Sequence, residues 1–253
     1  MLKNALIILI WVLLLMPVPR ALADPAIPFG PGEKIRLDVA WCNIPVGHAL
    51  LEVLPMDEVG GEPAFHFRMN ARTNKFADIF FKVRDKVDSY TDAGMNRSLR
   101  YENRQREGDY HRDIVVEFDW SGFTARYFNR DEPEKPVQIM PGTFDPLSVF
   151  YAFRVMEFPE DGRLLCPVTD GKRSMLGKAS IVSRQVVETP AGTFDTYLVE
   201  PDLEHIGGVF KKSPRAKLQI WVTADKRRIP VMIKSKVKIG SFTAQLASYT
   251  TGR

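Results

Sequence analysis

The side chains best equipped for chemistry in this chain are few. Its four histidines are His48, His66, His111 and His205, and its two cysteines are Cys42 and Cys166. His48 and His66 lie on either side of residues 55–63, which read as a hairpin loop through Gly60-Gly61. A symmetric hairpin would set the two imidazoles opposite each other on adjacent strands. With a nearby carboxylate they would form a minimal metal site. The plainer expectation is two strand histidines in unrelated register, with no metal and no cofactor. Acid pairs recur, as in Asp85 with Asp88, Asp131 with Glu132 and Glu157 with Glu160. Surface strands and loops produce such pairs routinely, and a glycosidase pair is defined by separation in space. The chain has no phosphate-cradling glycine loop, no Gly-x-Ser-x-Gly elbow and no His-Glu-x-x-His. A hydrolase built from distant residues, such as His48 and His66 with acids, therefore ranks third among the functional readings.

Other residue patterns point to binding. Lys234, Lys236 and Lys238 alternate with Ile233, Ser235, Val237 and Ile239. Period two puts the three ammonium groups on one face of a late strand. Lys211, Lys212, Arg215, Arg227 and Arg228 fall in the flanking loops. Such a stripe suits an anionic lipid or partner; equally, it suits a solvated or protected edge strand. In an oxidising compartment Cys42 and Cys166 could form one disulfide, stabilising by about 3–5 kcal/mol on the chain-entropy model. The alternative is two buried free thiols acting as small hydrophobes.

The elements that must carry these residues are mostly strands. Ile35, Leu37, Val39 and Trp41 alternate with polar neighbours, and a second strand begins over His48 to Leu54. Residues 83–91, 99–106, 110–120 and 123–130 read as a meander with one face buried and one wet. Residues 164–169, 178–188, 193–200, 217–222, 230–239 and 242–249 continue it. Between Asn74 and Phe81 the alternation breaks, predicting a short helical turn whose Phe76, Phe80 and Phe81 plug one end of the core. One good helix is predicted over 145–157, with Asp145 as N-cap and Pro146 at the first helical position. Leu147, Phe150, Tyr151 and Arg154 follow at helical spacing until Pro159. Phe150, Tyr151 and Phe153, with Trp41 on the first strand, are the candidate contacts for an apolar ligand, although an aromatic stripe also suits core packing. The expected architecture is a mostly β, clam-like antiparallel sheet or incomplete barrel, with that helix packed on or in it.

Residues 1–23 read as a secretory signal: Lys3, an apolar run from Ala5 to Met16, and Ala21-Leu22-Ala23 as the cleavage site. The apolar run is short for a membrane span, and no cysteine follows the cleavage site. The expectation is an exported, periplasmic chain whose residues 24–253 form one β-rich domain without a transmembrane helix. The composition is that of a globular protein, 45% hydrophobic and 26% charged, with a formal net charge of +4. Lys3 and Arg20 of the leader supply part of that charge, and the mild remainder does not argue for nucleic acid.

Several stretches together resemble the family of exported bacterial proteins called DUF3108. They include 32–41 (GEKIRLDVAW), 44–49 (IPVGHA), 83–90 (VRDKVDSY), 145–148 (DPLS), 190–194 (PAGTF), 220–225 (IWVTAD) and 228–231 (RIPV). The resemblance implies an exported antiparallel β protein with no established activity, so no catalytic residue carries over. The leading expectation is a non-enzymatic envelope protein that binds a hydrophobic or amphipathic ligand such as a lipid. The alternative is an interaction module for envelope assembly, with a protein or polysaccharide partner.

Overall fold

Alternation of apolar and polar residues becomes strand along nearly the whole chain. A computed structural model describes residues 27–203, 217–236 and 240–252. The first run comprises β1 (Lys34–Trp41), β2 (Ile44–Val59), β3 (Glu62–Thr73), β4 (Arg84–Asp92), β5 (Ser98–Glu107), β6 (Tyr110–Asp119) and β7 (Thr124–Asn129). Two short pieces, β8 (Glu132–Pro133) and β9 (Val137–Gln138), pair with β7. The second run comprises β10 (Arg163–Thr169), β11 (Ser174–Thr189), β12 (Gly192–Pro201), β13 (Lys217–Thr223), β14 (Pro230–Lys236) and β15 (Ser241–Thr250). Among the described residues two helices interrupt the strands: α1 (Lys75–Asp78) and α2 (Ser148–Val155).

All the described strands join one antiparallel sheet, in the order β10-β11-β12-β13-β14-β15-β1-β2-β3-β4-β5-β6-β7-β8, with β9 off this path on β7. The first strand thus pairs with the last, Ile35 opposite Tyr249 and Trp41 opposite Phe242. The sheet curls until its distant parts meet. Gly171, in the β10–β11 turn, lies where a Cβ would come within 2.7 Å of Val116 on β6 and 3.2 Å of Tyr127 on β7. Its φ of +84° also favours glycine there. Lys172 beside it is ion-paired to Glu134 and sits 4.0 Å from the Tyr127 ring centroid. Phe144 bridges to Val168 on β10, so the segment before α2 closes the gap that the ladder leaves. The result is the incomplete, barrel-like sheet that the patterning predicts.

Two local expectations need correction. The β2–β3 connection is only Gly60-Gly61, at φ +62° and +85°, because β2 continues to Val59 through a register shift between Leu54 and Asp57. Paired positive φ values are what a two-residue hairpin turn needs, and glycine supplies them without strain. The helix is shorter than 145–157: it runs over eight residues, and Met156 is already extended, at ψ 141°.

The solid core lies on the β1–β7 side of α2. Ile35, Val53, Phe67, Val116 and Tyr151 are buried there, and the Tyr151 ring stacks on Phe67 at 3.9 Å. Burial fades along β1 from Ile35 (0% exposed) to Trp41 (38%). That end of the sheet is a rim shared by the β1–β2 turn, the β3–β4 connection carrying α1, and the β10–β11 turn.

Candidate functional site: a cavity beside the central helix

The site is built on the anchorage of α2. Asp145 is fully buried, and its Oδ2 accepts from the hydroxyls of Ser89 (2.7 Å), Ser98 (2.6 Å) and Ser148 (2.7 Å). Its Oδ1 accepts from the backbone N–H groups of Leu147 and Ser148, each at 2.9 Å, which is capping chemistry for the first helical turn. Burial pushes the Asp145 pKa up, against the lowering effect of these hydroxyl and backbone donors. One residue therefore ties the helix start to β4 and β5.

Arg154 ties the other end. Its guanidinium grips Glu33 through a two-pronged pair, Nη1 to Oε1 at 2.6 Å and Nη2 to Oε2 at 2.9 Å, with both side chains about 1% exposed. Tyr249 Oη donates to Glu33 Oε2 at 3.1 Å, and Arg154 Nε donates to the Arg227 carbonyl at 2.9 Å. Phe29 lies under the guanidinium, 4.9 Å from its ring centroid. A charge can be buried this way only because nearly every donor is matched. The sequence carried a signal for it: Arg154 falls on the apolar stripe of the helix, where an arginine needs a buried acid.

Held at both ends, α2 divides the interior. Its Tyr151 side fills the core, while Val149, Phe150, Phe153 and Met156 face the inner side of β10–β14 across a partly open cavity of ≈ 500 Å³. The facing wall includes Leu164, Val168, Val199, Leu218, Ile220 and Ile233. The lining is overwhelmingly apolar. It reaches the rim at Thr169, Met175, Pro201 and Leu218, near the strand ends on that side.

Arg154, Asp170, Lys178, Asp202 and Arg228 are the charged residues in the lining, and Arg228 is the one at the end of α2. Its φ of +46° is the left-handed conformation, costing a non-glycine residue roughly 1 kcal/mol or more. The guanidinium donates to the Met156 carbonyl and lies 3.8 Å from the Phe158 ring centroid. Burial lowers its pKa, against the favourable influence of Tyr197 and Glu157. It caps the C-terminal end of α2, where a cation complements the helix dipole.

Of the predicted ligand contacts, Phe150 and Phe153 line the cavity. Tyr151 does not, being stacked into the core, and Trp41 stands exposed on the rim. Lys234 and Lys236 are exposed on β14, with Lys234 Nζ 5.4 Å from the Trp221 ring centroid. Lys238, Lys211, Lys212, Arg215 and His205 lie outside the described residues.

Of the two alternatives for the cysteines, the structure has them as free thiols. Cys42 is an exposed free thiol in the β1–β2 turn, whereas Cys166 is a buried free thiol on β10. Five strands lie between β10 and β1 in the sheet order. Burial pushes the Cys166 thiol up to about 12.

The histidines do not meet either. The β2–β3 register sets His48 opposite Arg72 and His66 opposite Leu54. Burial, together with Arg36 and Arg72, lowers the His48 pKa. His66 is buried against Asp88 at 2.8 Å and stacks on Tyr90. Among the described residues no His, Cys, Asp or Glu cluster could hold a metal ion. No helix among them is long and apolar enough to cross a membrane.

A curled antiparallel sheet closed around one anchored helix, with an apolar hollow on one side, places this chain among the barrel-like β shells. The chain belongs to the DUF3108 family of proteins of unknown function, whose model matches residues 35–247. Among solved structures it is similar to a β-barrel-like protein of the domain of unknown function DUF1849 from Brucella abortus. That match has 9% identity and a TM-score of 0.60, over 90% of this chain and 100% of the other. A protein described as exported, with a YmcC-like fold, from Bacteroides fragilis matches at 10% identity and TM-score 0.39, over 88% and 98% of the two chains. A protein described as a lipoprotein from Parabacteroides distasonis matches at 9% identity and TM-score 0.38, over 90% and 100%. No curated protein matches the chain.

Proposed function

We propose that this protein is a non-enzymatic component of the bacterial cell envelope, exported by its N-terminal leader, that holds an amphipathic ligand such as a lipid beside α2. The observation that carries this reading is the cavity itself. Its ≈ 500 Å³ falls within the roughly 300–1,000 Å³ typical of small-molecule sites. Apolar walls of this kind suit an acyl chain or similar hydrocarbon, whose transfer from water gains about 0.8 kcal/mol per buried methylene. Arg228 offers a cation at the cavity wall, already constrained by its backbone, so the favoured ligand has an acidic head and a hydrocarbon body.

Mass spectrometry of an organic extract from natively purified protein tests this. The expected result is a co-purifying acidic amphiphile that is lost when Ile220→Trp fills the hollow. Arg228→Gln should select against acidic heads while sparing neutral ones. A wild-type protein that carries no amphiphile and takes up no fluorescent fatty acid would remove the reading. The exposed Lys234 and Lys236 support interaction with an anionic envelope partner as a second reading, tested by reproducible crosslinking at β14 in cells.

A further inference from the structure

The sequence predicts that the phenylalanines of the β3–β4 connection plug the core, and the structure turns them outward. Phe76 is 54% exposed, Ile79 77%, Phe80 76% and Phe81 53%, a concentration of large apolar groups on one short turn. Scattered exposed hydrophobics are ordinary, but a contiguous patch is not.

The turn holds this arrangement firmly. Asn74 caps α1 by accepting from the Ala77 N–H at 2.9 Å, and its Nδ2 donates to the Pro45 carbonyl at 2.7 Å. Asp78 is gripped by Arg84 at 3.0 and 2.6 Å and by the Thr73 hydroxyl at 2.5 Å. The hydrogen bonds of Arg84 and Thr73 lower the Asp78 pKa to about 2. Ala77 is buried, and Phe81 leans over Gly108, whose Cβ position would be 3.1 Å from the ring. The turn is therefore inverted relative to an ordinary surface helix, with its polar groups tied inward and its apolar ones facing solvent.

Charge identifies the partner. Arg84 neutralises Asp78, and the exposed Lys75 and Lys82 bracket the apolar tip, with the exposed Asp109 of the β5–β6 turn beside Lys82. The neighbouring strand ends on the same rim expose Trp41, Ile44 and Phe242. Apolar and aromatic groups flanked by lysines match a bilayer interface, where aromatic rings sit at headgroup depth and cations meet anionic lipid. The surface is a projecting turn, and the lining of the cavity extends to the same end of the sheet.

We propose that the α1 rim docks on an anionic lipid membrane, with Phe76, Ile79 and Phe80 entering the headgroup–acyl boundary and Lys75 and Lys82 meeting the headgroups. The proposal stands on the rim alone and does not require the cavity to hold a ligand.

The test is flotation of the protein with phosphatidylglycerol-containing vesicles against phosphatidylcholine vesicles. An environment-sensitive dye on Cys42, the exposed thiol of the same rim, reports contact. Wild type should float with the anionic vesicles and shift the dye to the blue. F76S/I79S/F80S should weaken binding by roughly tenfold or more, with an unchanged thermal midpoint because these side chains are exposed. Lys75→Glu and Lys82→Glu should each lower affinity for anionic vesicles by about fivefold. Ile220→Trp should dock as wild type does, which separates this proposal from the cavity reading. Wild type that stays with neither vesicle, a triple variant that still docks, or a tip buried instead in a salt-independent dimer would overturn it.

Discussion

Asp88 shows how much a single side chain on the wet face of the sheet can hold. Burial alone would raise its pKa, but hydrogen bonds from His66, Lys86 and Arg68 hold the carboxyl well below the usual carboxylate range. A depressed acid stabilises the fold fully above its unfolded pKa of about 3.9 and loses that contribution as the pH falls toward the folded value. The difference in thermal midpoint between wild type and Asp88→Asn should therefore be flat from pH 7 to 5 and shrink below about pH 4. Asp88→Asn should be less stable at pH 7 and decline less on acidification; an equally steep decline would assign the acid sensitivity elsewhere. Strand parity already made part of this legible. Asp85 and Asp88 are three residues apart, so period two puts them on opposite faces and excludes them as a working pair. Asp85 instead faces Glu107, whose pKa is raised by burial and by that neighbouring acid. What the sequence withheld was the partner, because the contact with His66 depends on the register between β3 and β4.

At the scale of elements, α2 is the part on which the cavity depends. Its position rests on polar anchors more than on length, since eight residues make a marginal helix by themselves. Arg154→Met should cost about 3–5 kcal/mol in chemical denaturation by leaving the Glu33 carboxylate buried and unpaired. Glu33→Leu should cost a similar amount for the converse reason. The double variant should be less damaged than the sum of the two, by at least about 1 kcal/mol. Additive losses would mean that the pair is not coupled. The sequence made the helix legible because its pattern is local, but it set the N-cap at Asp145, whereas the helix starts at Ser148 with Leu147 as its N-cap and Asp145 anchors the turn before it. It misassigned the α1 phenylalanines for an equally physical reason: apolar content signals burial, and only tertiary placement reveals a turn held in inverted orientation. It also left Arg228 among the basic residues of a loop, because nothing local marks a backbone at positive φ as a cavity wall.

For the whole molecule, strand existence and a curled, barrel-like sheet were legible, whereas the particular pairings that close it were not. Alternation is read over a few residues, but the β1–β15 ladder joins positions such as Lys34 and Thr250 at opposite ends of the chain. A protein ending before Ser241 would lack β15, leaving β1 and β14 with unpaired edges. Deletion of residues 241–253 should abolish cooperative unfolding and yield aggregates; a soluble, cooperatively melting truncation would contradict the central role of that ladder. The same topology has a temporal consequence. Because the C-terminal strand completes the middle of the sheet, and Tyr249 with Glu33 and Arg154 completes the seat of α2, the native shell cannot close while the end of the chain is still being made. Nonlocal pairing of this kind folds slowly, on the order of milliseconds to seconds. On the proposed export route that delay is useful: the chain remains unclosed for as long as its last strand is inside the translocation channel.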